Sequence, residues 1–237
     1  MGGGGPGGRY TPTWRIAPTG RLAAPELAAE AGVSGADEPA AGAETGDAMT
    51  VRSTTAGWGA VSRLFHWGML LVFVFIIPLG FYMTDQPLGL RKLKLYALHK
   101  SIGLSLLALA ALRLAWRSAE RRPTLPPMPA WQEHAATAAH VLLYVLMFAI
   151  PITGWLFNSA AGFPLQWFGT VNLPALTAQN PPLKALAREL HEAGVWALVG
   201  LVSLHAAAAL KHHFLDRDRT LSLMVPGVDA PRNGANP

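Results

Sequence analysis

The 237-residue sequence predicts an all-α integral membrane protein, a four-helix up-down bundle, and three observations carry that prediction. Hydrophobic residues make up 51% of the chain and charged ones 14%, too apolar and too sparsely charged for an ordinary soluble domain. Four apolar segments each approach the ~20 residues needed to cross about 30 Å of hydrocarbon. The Lys and Arg residues behind the net charge of +5 gather beside those segments, as membrane flanks do, rather than forming a nucleic-acid-binding stripe.

The first segment runs without a charge from Leu64 to Thr84, between Arg63 and Asp85. The second, Leu95 to Trp116, accepts Lys100 and Arg113 near its ends because long side chains reach back to the interface. The third spans Ala135 to Phe157, and the fourth spans Leu186 to His213, uncharged between Ala193 and Leu210. Pro78 and Pro151 inside the first and third predict kinks that a bundle tolerates. The long connection from Asn158 to Pro182 carries Phe163, Trp167 and Phe168, which suit a membrane surface. Arg52, Arg63, Arg117, Arg121, Lys211 and Arg217, among others, outnumber the basic residues on the opposite side, which include Arg91, Lys92, Lys94 and Lys184. Both termini are therefore expected in the cytoplasm.

Residues 1–48 are rich in Gly, Ala and Pro with little aliphatic clustering, and are expected to form a disordered tail. They lack the basic start, apolar core and cleavage site of a secretory signal, and Met49 is a candidate start. The membrane domain is expected over 49–227, followed by a short disordered tail, 228–237.

The chain has no Cys, which removes disulfides, thiolate ligation and iron-sulfur clusters. It has 8 His, all in or beside the four spans. Ionisable groups inside a bilayer are rare and functional by default, and several at matching depths point to axial ligation of haem iron. His191 and His205 lie 14 residues apart on the fourth helix, about 21 Å along its axis and close to four whole turns. Both rings leave the helix in one direction near opposite membrane faces, so one helix can serve two stacked haems. His99 begins the second helix at the depth of His191, and these two make an outer site. The inner site needs His205 and either His66 or His140.

A faint internal repeat leaves that choice open. His66 is followed by Pro78 and Gly80, and His140 by Pro151 and Gly154; LHKSIG on the second helix resembles LHEAG on the fourth. Gly103, Gly194 and Ala206 to Ala209 follow the candidate ligands, where small side chains suit close approach of a porphyrin or plain helix packing.

Taken together, RLFHW, ALHKSIG, AAHVLLY, ELHEAGVW, LHAAAALKHHF and the closing DRDRTLSLMVPG resemble the bacterial cytochrome b561 family, which includes superoxide oxidase, over about Val61 to Gly227. The resemblance implies a di-haem b protein of the inner membrane with ligands at His66, His99, His191 and His205. It also implies a quinone contact at His212, with Lys211 as a companion. Electrons are then expected to pass between a periplasmic donor such as superoxide and ubiquinone, a superoxide:ubiquinone oxidoreductase activity. Arg91, Lys92, Lys94 and Lys100 form a basic cluster beside His99 that would steer a small anion, and equally an anionic lipid or an acidic protein. Two other readings compete: a cytochrome b subunit relaying electrons between the quinone pool and a dehydrogenase or periplasmic redox protein, and a haem-free, His-lined metal or proton transporter.

Overall fold

The computed structural model describes residues 50–121, 123–124, 126–225 and 228. The expectations for residues 1–48, for Met49 and for 229–237 fall outside the described residues. Four helices, α1 Ala60–Asp85, α2 Leu90–Ser118, α3 Ala130–Ala160 and α4 Pro181–Phe214, contain the four expected spans. Each is long and apolar enough to cross a membrane. α2, α3 and α4 begin before their apolar segments do. Their charged or polar first turns (Arg91 and Lys92, Glu133, Lys184) still close helical hydrogen bonds, as polar residues can at a helix end. α4 has a built start: the Asn180 side chain accepts from the Leu183 N–H at 3.0 Å, and Pro181 and Pro182 occupy its first turn.

The helices form two hairpins, α1–α2 and α3–α4, each packed along its length, with α2 and α3 joining them. The apolar core is drawn from three helices: Met69 and Ile76 of α1, Leu106 and Ala110 of α2, and Met147 of α3. α1 and α2 reach α4 through rings: His66 with His205, Phe81 with Trp196, and His99 with His191. Leu71, Phe75, Val145 and Leu204 face outward, as expected of helices solvated by lipid. Pro78 and Pro151 lie inside unbroken helices.

The α3–α4 connection folds further than its sequence predicts. β1 Leu165–Trp167 and β2 Val171–Leu173 pair antiparallel around Phe168 and Gly169, whose φ values of 46° and 70° make a type I′ turn. An aromatic residue rarely adopts that conformation. Here it is held from outside, because the Phe168 N–H donates to Ser101 Oγ at 2.9 Å and Trp167 Nε1–H to Ser105 Oγ at 3.0 Å. Lys100 Nζ completes the dock, donating to Asn158 Oδ1 and the Pro164 carbonyl, both at 3.2 Å.

At the opposite end, the chain ahead of α1 is clasped to the end of α2. Glu120 accepts from the Ser53 N–H at 3.0 Å, from Ser53 Oγ at 2.9 Å and from the Ser62 hydroxyl, while the Gly59 N–H donates to Ser53 Oγ at 3.0 Å. A side chain at Gly59 would meet the Arg52 carbonyl carbon at 2.4 Å, so only glycine lets the segment cross there. Burial pushes the Glu120 carboxyl up, but the hydrogen bonds from Ser62 and Ser53 outweigh it and hold the group below the usual carboxylate range. A depressed folded value means the clasp is intact at neutral pH and is lost only as pH falls through that depressed value. Glu120→Ala strips these acceptors at a local cost of about 1 kcal/mol. Amide exchange at Ser53 is therefore expected to accelerate in the variant at pH 7, and in the wild type only on acidification. Unchanged exchange in the variant would remove the clasp.

Candidate functional site

The eight histidines sort into two layers and a remainder. In the first layer the rings of His99 on α2 and His191 on α4 face each other, with centroids 6.3 Å apart and planes at 72°. His191 Nδ1 lies 2.8 Å from the Ile150 carbonyl oxygen. A carbonyl only accepts, so Nδ1 carries the proton and Nε2 keeps a free lone pair, the arrangement found for metal-bound imidazole. His99 Nδ1 is buried without a hydrogen-bond partner among the described residues.

Each ring rests on a glycine. A Cβ built on Gly154 would stand 3.1 Å from both Cε1 and Nδ1 of His191, and one on Gly80 would stand 3.1 Å from Cε1 of His99. The two seats have related sequences, IIPLG at 76–80 and IPITG at 150–154. The internal repeat thus has a structural meaning: in each hairpin the proline-containing stretch seats the histidine of the adjoining helix. Gly103 and Gly194, the glycines that follow the histidines, do a different job. A Cβ on Gly103 would meet Ile76 Cδ1 at 4.0 Å and one on Gly194 would meet Ile150 Cγ1 at 3.0 Å, so they admit the seat isoleucines and serve helix packing.

All four helices contribute to the second layer: His66 from α1, Arg113 from α2, His140 from α3 and His205 from α4. The His66 and His205 centroids are 6.2 Å apart with planes at 63°, whereas His140 and His205 are 5.3 Å apart. The layer separation follows from the 14 residues between His191 and His205, about 21 Å of helical rise.

A bis-imidazole iron centre supplies a test of fit. Bonds of about 2 Å on either side of the metal, with each ring centre about 1.2 Å behind its nitrogen, would put the centroids about 6.4 Å apart. The His99–His191 and His66–His205 pairs meet that spacing. His140 with His205 is about 1 Å too close. Neither layer brings three His, Asp or Glu ligand atoms within 4.8 Å of one another among the described residues, as a bare metal ion would want. The donor set therefore fits two haems held by imidazole pairs.

Beyond the second layer, at the end of α4, His212 Nδ1 lies 2.7 Å from Asp218 Oδ2 and 3.1 Å from Asp216 Oδ2, and Lys211 Nζ donates to Asp216 at 2.6 Å. The Thr220 N–H donates to Asp218 Oδ1 at 2.8 Å. Burial raises the Asp218 carboxyl, but the bonds from Thr220 and His212 outweigh it and keep the group below the usual carboxylate range. His212 is thus oriented by a fixed anion, a partner that its sequence context does not reveal. The segment after α4 folds back over this end, and Trp67 Nε1–H donates to the Met224 carbonyl at 3.0 Å. His213 stacks edge-on against Phe214, and His134 lies exposed near the start of α3.

The basic cluster stands at the His99 end. The Arg91 guanidinium lies 5.7 Å over the Tyr82 ring, and Lys92 Nζ donates to the Thr84 and Gln86 carbonyls at 3.0 and 2.9 Å. Lys94 is exposed and Lys100 is committed to the hairpin. Three of the four side chains thus also hold local structure.

Residues 57–227 match the model of a family described as prokaryotic cytochrome b561. The chain is 36% identical over 180 residues to "Cytochrome b561 homolog 2" of Escherichia coli (strain K12), covering 75% of this chain and 95% of that protein. It is 34% identical over 131 residues to "Cytochrome b561 homolog 1" of the same strain and 30% identical over 132 residues to "Probable superoxide oxidase CybB" of Yersinia pestis. Each of these two matches covers 54% of this chain and 73% of the relative.

Proposed function

Since the chain belongs to the prokaryotic cytochrome b561 family of membrane electron-transfer proteins, we propose that it holds two b-type haems, one between His99 and His191 and one between His66 and His205. On this reading it moves electrons across the bacterial inner membrane from periplasmic superoxide to ubiquinone, with both termini cytoplasmic. The observation that carries it is the pair of imidazole couples at bis-ligand spacing, each drawn from both hairpins. Bound haem supplies one-electron redox chemistry. The chain does the rest: Gly80 and Gly154 seat two of the imidazoles, the Arg91, Lys92 and Lys94 cluster draws in an anion, and His212, oriented by Asp218, meets a quinone at the opposite end. Two superoxide anions each lose one electron and leave as dioxygen, while the quinone takes up two electrons and two protons.

The superoxide donor is supported by the basic cluster and by the printed name of the Yersinia pestis relative. Reversing the charges of Arg91, Lys92 and Lys94 together is expected to lower superoxide-driven quinone reduction at least tenfold at low ionic strength, with the deficit shrinking as salt screens the field. A full, salt-sensitive rate in that variant would remove the steering role. A relay subunit serving a dehydrogenase or an acidic periplasmic redox protein also fits the basic cluster; stable co-purification with a second redox protein would favour it. Purification without haem would return the histidines to a metal or proton transporter.

A further inference from the structure

The internal repeat places unlike residues at one pair of equivalent positions. Fourteen residues after His191 stands His205, and fourteen after His99 stands Arg113. Arg113 is an obligate cation within a membrane span. Its Nε donates to Tyr144 Oη at 3.3 Å, its guanidinium lies 6.0 Å over the Tyr144 ring, and Nη2 is 3.4 Å from His66 Nδ1. Neither partner is a carboxylate, and among the described residues Arg113 forms no ion pair with one. A guanidinium removed from water is costly unless an anion meets it.

The contact with His66 is also chemically at odds with ligation by that residue. Nδ1 can accept from Arg113 only in the tautomer whose Nε2 carries the proton, and a protonated Nε2 has no lone pair for iron. For His66 to ligate through Nε2, the guanidinium must turn to another acceptor. The cleft it borders is lined by Trp58, Ser62, Trp116 and Tyr144 and by a second guanidinium one turn further along α2, and the carboxylate at its margin, Glu120, is taken up by Ser53 and Ser62.

We propose that Arg113 is the counter-ion of a carboxylate on the cofactor held between His66 and His205, a haem propionate, and that its charge raises that haem's reduction potential. The inference rests on reading this layer as a haem site. Reduction adds one electron to the centre, so a fixed cation held close favours the reduced form, and its removal favours the oxidised one.

The test is a spectroelectrochemical titration of the full chain in nanodiscs, with haem quantified per chain, for the wild type, Arg113→Gln, Arg113→Lys and Tyr144→Phe. Arg113→Gln is expected to shift the reduction equilibrium of one haem about tenfold or more toward the oxidised form, about 59 mV for a one-electron couple, and to leave the other haem unchanged. Arg113→Lys should recover part of the shift, and Tyr144→Phe should stay near wild type. Loss of that haem in Arg113→Gln but not in Arg113→Lys equally supports the pairing. Two haems at unaltered potentials in Arg113→Gln would overturn it, as would the same haem loss in all three variants, which would make Arg113 a packing residue. A wild-type chain with fewer than two haems would instead defeat the di-haem reading itself.

Discussion

His99→Ala and His191→Ala are each expected to reduce haem content from two to one per chain, and His66→Ala and His205→Ala to do the same for the other haem, while His140→Ala retains both. Double variants within a pair, such as His99→Ala with His191→Ala, should still hold one haem; double variants across layers, such as His99→Ala with His205→Ala, should hold none. The expectation comes from ring geometry: only His99–His191 and His66–His205 have centroids 6.2–6.3 Å apart, the span of two imidazoles on one iron. Reduced-minus-oxidised spectra with pyridine haemochrome quantitation read the result. A single haem in His140→Ala with two in His66→Ala would reassign the inner ligand; the two helices supply equivalent histidines, so the bundle itself would stand.

Gly154→Val and Gly80→Val are expected to eject the haem of the His99 layer with every histidine in place. At either glycine the first added carbon already stands 3.1 Å from a ring atom, and valine's branches go further into the imidazole. At Gly154 the displaced ring also loses its 2.8 Å bond to the Ile150 carbonyl, which fixes its tautomer. Gly154→Ala, smaller, should retain haem with site stability lowered by about 1–3 kcal/mol, the usual cost of overpacking. Gly103→Ala is the control, since a Cβ there meets nothing nearer than 4.0 Å, and it should keep both haems. The same haem count in Gly154→Val as in wild type would mean that His191 can leave its seat and still ligate.

The four spans were legible because a bilayer demands uninterrupted apolar length, and the pairing of His99 with His191 was legible because helical rise converts spacing into depth. The residues alone left His66 and His140 open, and only the resemblance favoured His66. Both lie toward the starts of their helices, and the repeat that relates them is blind to their ring separations from His205, 6.2 and 5.3 Å. Gly80 and Gly154 were visible as repeated residues, but their contacts are with histidines of the neighbouring helix, which no local pattern encodes. The β1–β2 hairpin was hidden for a similar reason. Phe168-Gly169 lacks the Asn-Gly or Asp-Gly signature of its turn, and the conformation is held by Ser101, distant in sequence. Asp218 lies six residues beyond His212, past the end of the helix, where periodicity stops informing.

Each of the two imidazole pairs takes one ring from each helical hairpin, and this bears on how such a chain can arise. A single two-helix unit meeting a copy of itself about a twofold axis would bring His99 to its own counterpart, making one symmetric site before any duplication of the gene. The second site cannot be made singly that way, because the twofold would make two of it. It joins the first helix of one unit to the last helix of the other, and leaves Arg113 and His140 as the unmatched mirror pair. If two such units were fused into one polypeptide, these positions would be the ones free to diverge, and the pair on the symmetry axis would be the one that a symmetric dimer could already make alone.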